Sequence, residues 1–206
     1  AGMIPKEAKE SSVLYFQPEA TLYETVENEK SNQESGVQSG NVMIQIHQKA
    51  SQDKYYADLK NKKVVEQKDF MDRLFLIDKT LGAQKWKFTG RQKKILDMAC
   101  MEAQQVDNTD TITAWYTTAI PVAAGPTSLS GLPGMILEAQ VGSSLHIVAT
   151  KIAPADAASL KLIKAPTKGK KVTEAAYLQM VKEKTEEMQK QFGGNGNNVI
   201  MIQGNH

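Results

Sequence analysis

Alternation of apolar and polar residues is the dominant pattern along this chain, and it predicts β-strands. In residues 41–48, for example, Val42, Ile44 and Ile46 fall on one face of an extended segment and polar Gln45 falls on the other. Similar segments recur through most of the chain, separated by turn-forming residues. They are predicted at 12–17, 20–27, 41–48, 55–59, 63–68, 73–78, 86–89, 95–104, 111–117, 135–141 and 145–152.

The spacing of apolar residues changes near the C-terminal end. Tyr177, Met180, Val181 and Met188 recur at intervals that place them on one face of a helix. Thr173 is a suitable N-cap, and two glycines follow the last turn. The sequence therefore predicts one C-terminal helix at 172–192.

The order of these elements predicts a mainly β (α+β) fold. About ten strands joined by short turns, without alternation of strands and helices, are typical of an antiparallel meander that forms a curved sheet or an open barrel. We expect a single β-rich domain over residues 11–192, preceded by a flexible lead at 1–10. Residues 28–40 lack apolar periodicity and are predicted to form a mobile loop. The Gly- and Asn-rich tail at 193–206 could add an edge strand.

One stretch, between the strands predicted at 111–117 and 135–141, fits neither period. It is rich in proline and glycine, yet it also carries apolar residues that need burial, Ile120, Val122, Leu129 and Leu132. We therefore expect an ordered loop that crosses or caps a sheet. Pro133 and Gly134 fit the two central positions of a type II turn.

Two motifs in this stretch resemble a known family. The residues AWYTTAIPVAAGP at 114–126 and GLPGMILE at 131–138 resemble the signature of the GLPGLI family, which comprises secreted proteins of unknown function from Gram-negative bacteria. Upstream, Trp86 and the strand that bears Cys100 resemble the first half of the same signature. The resemblance implies a periplasmic or outer-surface location with the signal peptide removed, and it implies no mechanism.

Composition excludes several classes of function. A net charge of +2 with only two arginines, Arg73 and Arg91, argues against nucleic-acid binding. No apolar run is long enough to span a membrane. The single Cys100 rules out an internal disulfide, and it is either a small buried hydrophobe or a reactive thiol.

A search for catalytic motifs assigns no catalytic, cofactor or metal residue. Nucleophile turns, phosphate loops and zinc-binding helices are all absent. Two pairs could supply soft-metal ligands of the kind copper uses, His47 with Met43 and His146 with Met135. A hydrolase with unrecognised acid and base residues is a further alternative.

The leading hypothesis is therefore a non-enzymatic extracytoplasmic binding protein. Its curved sheet would hold an apolar small molecule, or a segment of another cell-envelope protein, under the loop at 119–134. Each candidate residue also has a structural interpretation, as part of the core or of a strained turn. The candidate ligand-binding residues are Trp86, Trp115, Tyr116, Pro126, Leu129, Leu132, Pro133 and Gly134.

Overall fold

The computed structural model describes residues 10–26, 35–39, 42–46, 51–106 and 110–192. In chain order the elements are β1 (Ser11–Phe16), β2 (Ala20–Val26), β3 (Ser35–Ser39), β4 (Val42–Ile46), β5 (Lys54–Asp58), β6 (Lys63–Phe70), β7 (Arg73–Thr80), β8 (Lys87–Ile95), β9 (Met98–Val106), β10 (Thr111–Thr117), β11 (Met135–Val141), β12 (Leu145–Val148), α1 (Ala157–Leu162), β13 (Lys170–Val172) and α2 (Glu174–Phe192).

The strands form two main sheets, and the predicted mainly β fold with a C-terminal helix is confirmed. The first sheet has the order β1-β2-β5-β6-β7-β13, and the second has the order β12-β11-β10-β9-β8. All neighbours pair antiparallel except β13, which runs parallel to β7. Within the described part of the chain neither sheet closes into a barrel, and β3 and β4 form a separate hairpin.

Tight turns account for the largest departures from the predicted strand bounds. The segment predicted as one strand at 95–104 instead reverses at Leu96 and Asp97, which both have positive φ (49° and 63°). Met71 and Asp72 make the same kind of turn between β6 and β7 (53° and 57°). Positive φ at both central residues is the geometry of a two-residue hairpin, but Leu and Met are poor signals for it.

Three elements lie where no strand or helix was predicted. The strand β3 falls inside the segment predicted as a mobile loop, and α1 and β13 follow the last predicted strand of the meander. Residues 1–9, 27–34, 40–41, 47–50, 107–109 and 193–206 lie outside the described residues, and with them the predicted lead, tail and much of the predicted loop.

The loop at 119–134, here called the central loop, is packed against both faces of the second sheet. Val122 and Ala124 are buried with Leu137 on one face, whereas Leu129 and Leu132 are buried on the other. Backbone hydrogen bonds from Met135 to Ile120 and from Ile136 to Ala124 join the loop to β11. The expectation of an ordered loop that caps a sheet is therefore confirmed.

The turn at the end of the central loop is not the predicted type II turn. The Gly134 N–H donates to the Leu132 carbonyl at 2.8 Å, and the Met135 N–H, which should close the turn, donates instead to Ile120 at 3.0 Å. Glycine is nevertheless required, because φ of Gly134 is +157° and a Cβ would overlap the carbonyl oxygen of Thr117.

The helix α2 packs against the first sheet through its N-terminal half. Thr173 caps it, since its Oγ1 accepts from the Ala176 N–H at 3.2 Å. The Tyr177 ring lies 6.3 Å from Phe70 and 5.7 Å from Phe75 between ring centres. Burial and nearby carboxylates raise the pKa of Tyr177 to about 12, so its hydroxyl stays neutral in this contact.

Candidate functional site

An irregularity in β8 opens a cleft on one face of the second sheet. Phe88 pairs with Ala103 and Gln92 pairs with Met101, so three residues of β8 (89–91) stand opposite Glu102 alone. Gly90, with φ of +80°, lies at the centre of this bulge. The bulge lifts the edge strand away from its neighbour instead of filling the space.

The opening is about 240 Å³, and we call it the β8 cleft. This is smaller than the roughly 300–1,000 Å³ of drug-sized binding sites, so it suits a single ring-sized group. Its lining residues come from three adjacent strands, β8, β9 and β10. They are Phe88, Gly90, Gln92, Met101, Glu102 and Tyr116.

Two aromatic residues define the apolar part of the cleft. Tyr116 is 2% exposed, and its hydroxyl contacts the Met101 sulfur at 3.9 Å. Burial raises the pKa of Tyr116. Phe88 is 59% exposed, and its ring centre lies 6.1 Å from that of Tyr116. The cleft therefore has a fixed aromatic floor and an aromatic rim that is open to solvent.

A charged pair fixes the bulge from the face of the sheet opposite the cleft, because Glu102 pairs with Trp115 and alternates with Met101 on β9. The Arg91 Nε and Nη2 atoms both donate to Glu102 Oε1, at 2.9 and 2.5 Å. The Glu102 side chain is 1% exposed, whereas the Arg91 side chain is 64% exposed. Gln104 also donates to the same oxygen at 3.4 Å. The buried Glu102 carboxylate is thus paired with a cation that solvent reaches.

The face of the sheet opposite the cleft also carries a closed network around Trp115. The Lys93 ammonium lies 4.3 Å from the centre of the Trp115 ring and donates to Glu138 Oε2 at 2.6 Å. His146 Nε2 lies 3.2 Å from the other oxygen of Glu138. Burial alone would raise the pKa of Glu138, but the hydrogen bonds and positive charges of Lys93 and His146 outweigh burial and lower it.

Most of the residues predicted to bind a ligand belong to the central loop or contact it. The Trp86 indole donates to the Ser130 carbonyl at 2.8 Å, and the Trp115 ring has Lys93 over it. Among the predicted residues only Tyr116 lines the β8 cleft. The five predicted residues that remain lie in the packed central loop. There Pro126, Leu129, Leu132 and Gly134 are buried and Pro133 is exposed.

Sequence reasoning missed the residues that form the cleft, above all Phe88 and Gln92, and it missed the Arg91–Glu102 pair that holds the bulge. Gly90 inside a strand pattern was the available signal, because an isolated glycine in a strand often marks a bulge. The strand predicted at 86–89 stops just before this glycine.

The soft-metal alternative finds no support in the described residues, which bring together no group of three His, Cys, Asp or Glu side chains that could hold a metal ion. His146 pairs with Gln140, five residues along β11 from Met135, or roughly 16 Å. His47 lies outside the described residues.

The hydrolase alternative expected a carboxylate with a perturbed pKa in a cleft. Among the described carboxylates, the pKa values that depart clearly from their ordinary range are all lowered, at Asp58, Glu138 and Asp156. None of the three lines the β8 cleft.

No described helix is long and apolar enough to cross a membrane.

Two open sheets, antiparallel except for β13, define the chain as a β-rich domain, and similar folds occur in solved structures. Two structures of PNGF-II, in space groups C2 and P21, share 18% and 19% identity with it and have TM-scores of 0.58 and 0.57. They cover 85% and 87% of this chain but 30% of the PNGF-II chain. At this identity the likeness shows the fold.

The family model described as N-glycanase peptide, N-terminal domain, matches residues 5–179, and the chain belongs to that family. A comparison with curated proteins finds no match.

The family match corrects two expectations. The predicted membership of the GLPGLI family is wrong, because a different family matches most of the chain. The leading hypothesis, a non-enzymatic protein that holds an apolar ligand under the central loop, is wrong for the same reason. The packing of the central loop is consistent with this correction. The extracytoplasmic location rested on the GLPGLI resemblance and stays a prediction.

Proposed function

We propose that this chain is the glycan-binding N-terminal part of an N-glycanase, and that it binds one sugar unit of an N-linked glycan in the β8 cleft. The family match and the PNGF-II fold support a role in glycan processing. The chain spans 30% of the PNGF-II length, so the bond-cleaving chemistry is assigned to the rest of such a protein.

The observation that carries the proposal is the solvent-exposed Phe88 ring beside an open, ring-sized cleft. The face of an aromatic ring carries partial negative charge and attracts the weakly positive C–H groups of a sugar. Gln92 and the backbone of the bulge offer polar groups at the same opening. Sites for small molecules combine an apolar surface with a few polar groups in this way.

Mutation of Phe88 tests the proposal. We expect the purified chain to bind a glycopeptide that carries an N-linked glycan, measured by calorimetry, and Phe88→Ala to weaken that binding about tenfold, equivalent to roughly 1.4 kcal/mol. Leu178→Ala is the matched control, since Leu178 is 47% exposed on α2, away from the cleft. Absence of binding by the unmutated chain, or equal loss in both variants, would refute the proposal.

A further inference from the structure

The strand that forms the rim of the β8 cleft is strongly basic. Residues 85–94 contain five cations and no acidic residue. Two of them are paired, Arg91 with Glu102 and Lys93 with Glu138. The remaining three are exposed, and among the described residues no carboxylate lies within salt-bridge distance of them. They are Lys85, Lys87 and Lys94.

Lys94 lies on the same face of the sheet as the cleft. It pairs with Ala99, which alternates with Met101 on β9, and Met101 lines the cleft. Lys94 follows Gln92 by two residues, so the two positions are roughly 7 Å apart along the strand. Lys93, by contrast, pairs with Cys100, and its ammonium donates to Glu138 in the network around Trp115 on the opposite face.

Arg91 is not part of the positive surface at the cleft. Its partner Glu102 pairs with Trp115 and alternates with Met101 on β9, so this ion pair lies on the face of the sheet opposite the cleft. Lys94 is therefore the exposed cation on the cleft face of β8, and among the described residues no carboxylate lies within salt-bridge distance of it.

We infer that the sugar unit bound in the β8 cleft is an acidic one, a ring bearing a carboxylate or a sulfate. This inference rests on the proposed sugar site and names its substrate class. The ring packs against Phe88 and the anionic substituent lies toward Lys94. An anion at this position gains from Lys94 without displacing either existing ion pair.

The test compares glycans that differ only in the acidic unit. Calorimetric titration of the whole chain at low salt uses a neutral N-glycan and the same glycan capped with a carboxylated or a sulfated sugar. We expect about fivefold tighter binding of at least one acidic form, and we expect added salt to reduce the difference because it screens exposed charges. The two acidic arms distinguish carboxylate from sulfate.

Lys94→Gln should reduce the preference for the acidic form, whereas Lys168→Gln should retain it, since Lys168 is also exposed but lies between α1 and β13. Equal affinity of neutral and acidic glycans would overturn this inference and leave the sugar site standing. A preference that survives Lys94→Gln would overturn the placement of the anion. Absence of binding to every glycan would instead refute the proposed function.

Discussion

The central loop and the β8 bulge both interrupt the second sheet, and they do so with opposite results. The loop sends apolar side chains to both faces of the sheet and leaves its own interior packed. The bulge inserts residues that are exposed, and an open cleft forms beside it. Richness in proline and glycine therefore marks a structural cap here, whereas the opening lies at an inconspicuous irregularity of an edge strand.

Gly134 in the central loop and Gly90 in the β8 bulge differ in the same way. A Cβ on Gly134 would overlap the Thr117 backbone, while a Cβ on Gly90 would meet nothing within 4 Å. Both residues have positive φ, but only Gly134 is also held by close contact with a neighbouring strand. At Gly134 the loop depends on tight packing as well as on backbone conformation, whereas at Gly90 the bulge depends on backbone conformation.

The largest expected effect is therefore on stability, from Gly134→Ala. We expect it to lower the free energy of unfolding by more than about 2 kcal/mol, because the unfavourable φ and the overlap with Thr117 add together. Gly90→Ala, the matched control, should cost about 1 kcal/mol from φ alone. Urea unfolding of both variants measures this, and equal losses would contradict the contrast between the packed loop and the open bulge.

The next effect concerns the pair that fixes the bulge. Arg91→Ala leaves the buried Glu102 carboxylate without its cation, and we expect a loss of about 1–3 kcal/mol. The estimate stays below that for a fully buried pair because Arg91 is largely exposed. Arg73→Ala is a close control, since Arg73 is the only other arginine and is exposed at the start of β7.

That control should change the free energy of unfolding by no more than about 0.5 kcal/mol. Similar losses for Arg91→Ala and Arg73→Ala would mean that the bulge does not depend on its ion pair. The β8 cleft would then be a weaker candidate for a preformed site.

Much of the fold was predictable because local pattern and tertiary structure agree. The strands β10 and β11 begin and end at the predicted residues, since their alternation is clear and both contribute to the core. The cap at Thr173 correctly located the start of α2. Turns at Leu96–Asp97 and Met71–Asp72 escaped prediction, because tertiary pairing imposes positive φ on residues that do not favour it.

The site was less predictable than the fold. A cleft depends on how β8 pairs with β9, and the sequence alone does not fix that register. Trp115 was a reasonable candidate, but the Lys93 ammonium lies over its ring. Phe88 was overlooked because exposure of a strand residue is a property of the assembled sheet.

The smallest expected effect concerns Glu138, which belongs to the network around Trp115 on the face of the sheet opposite the cleft. The pKa of Glu138 is lower in the folded protein than its ordinary value of 4.5, so its pairing stabilises the fold above about pH 4.5. This contribution is lost as the pH falls through the folded-state pKa. We expect Glu138→Gln to cost about 1 kcal/mol at neutral pH, in the range of partly exposed ion pairs.

The difference between Glu138→Gln and the unmutated chain should shrink between about pH 5 and pH 3, as the carboxylate takes up its proton. Urea unfolding across this range measures it. Glu187→Gln, which removes an exposed pair with Lys184 on α2, should cost a few tenths of a kcal/mol at most. A difference for Glu138→Gln that stays constant with pH would show that the network around Trp115 acts through packing instead of charge.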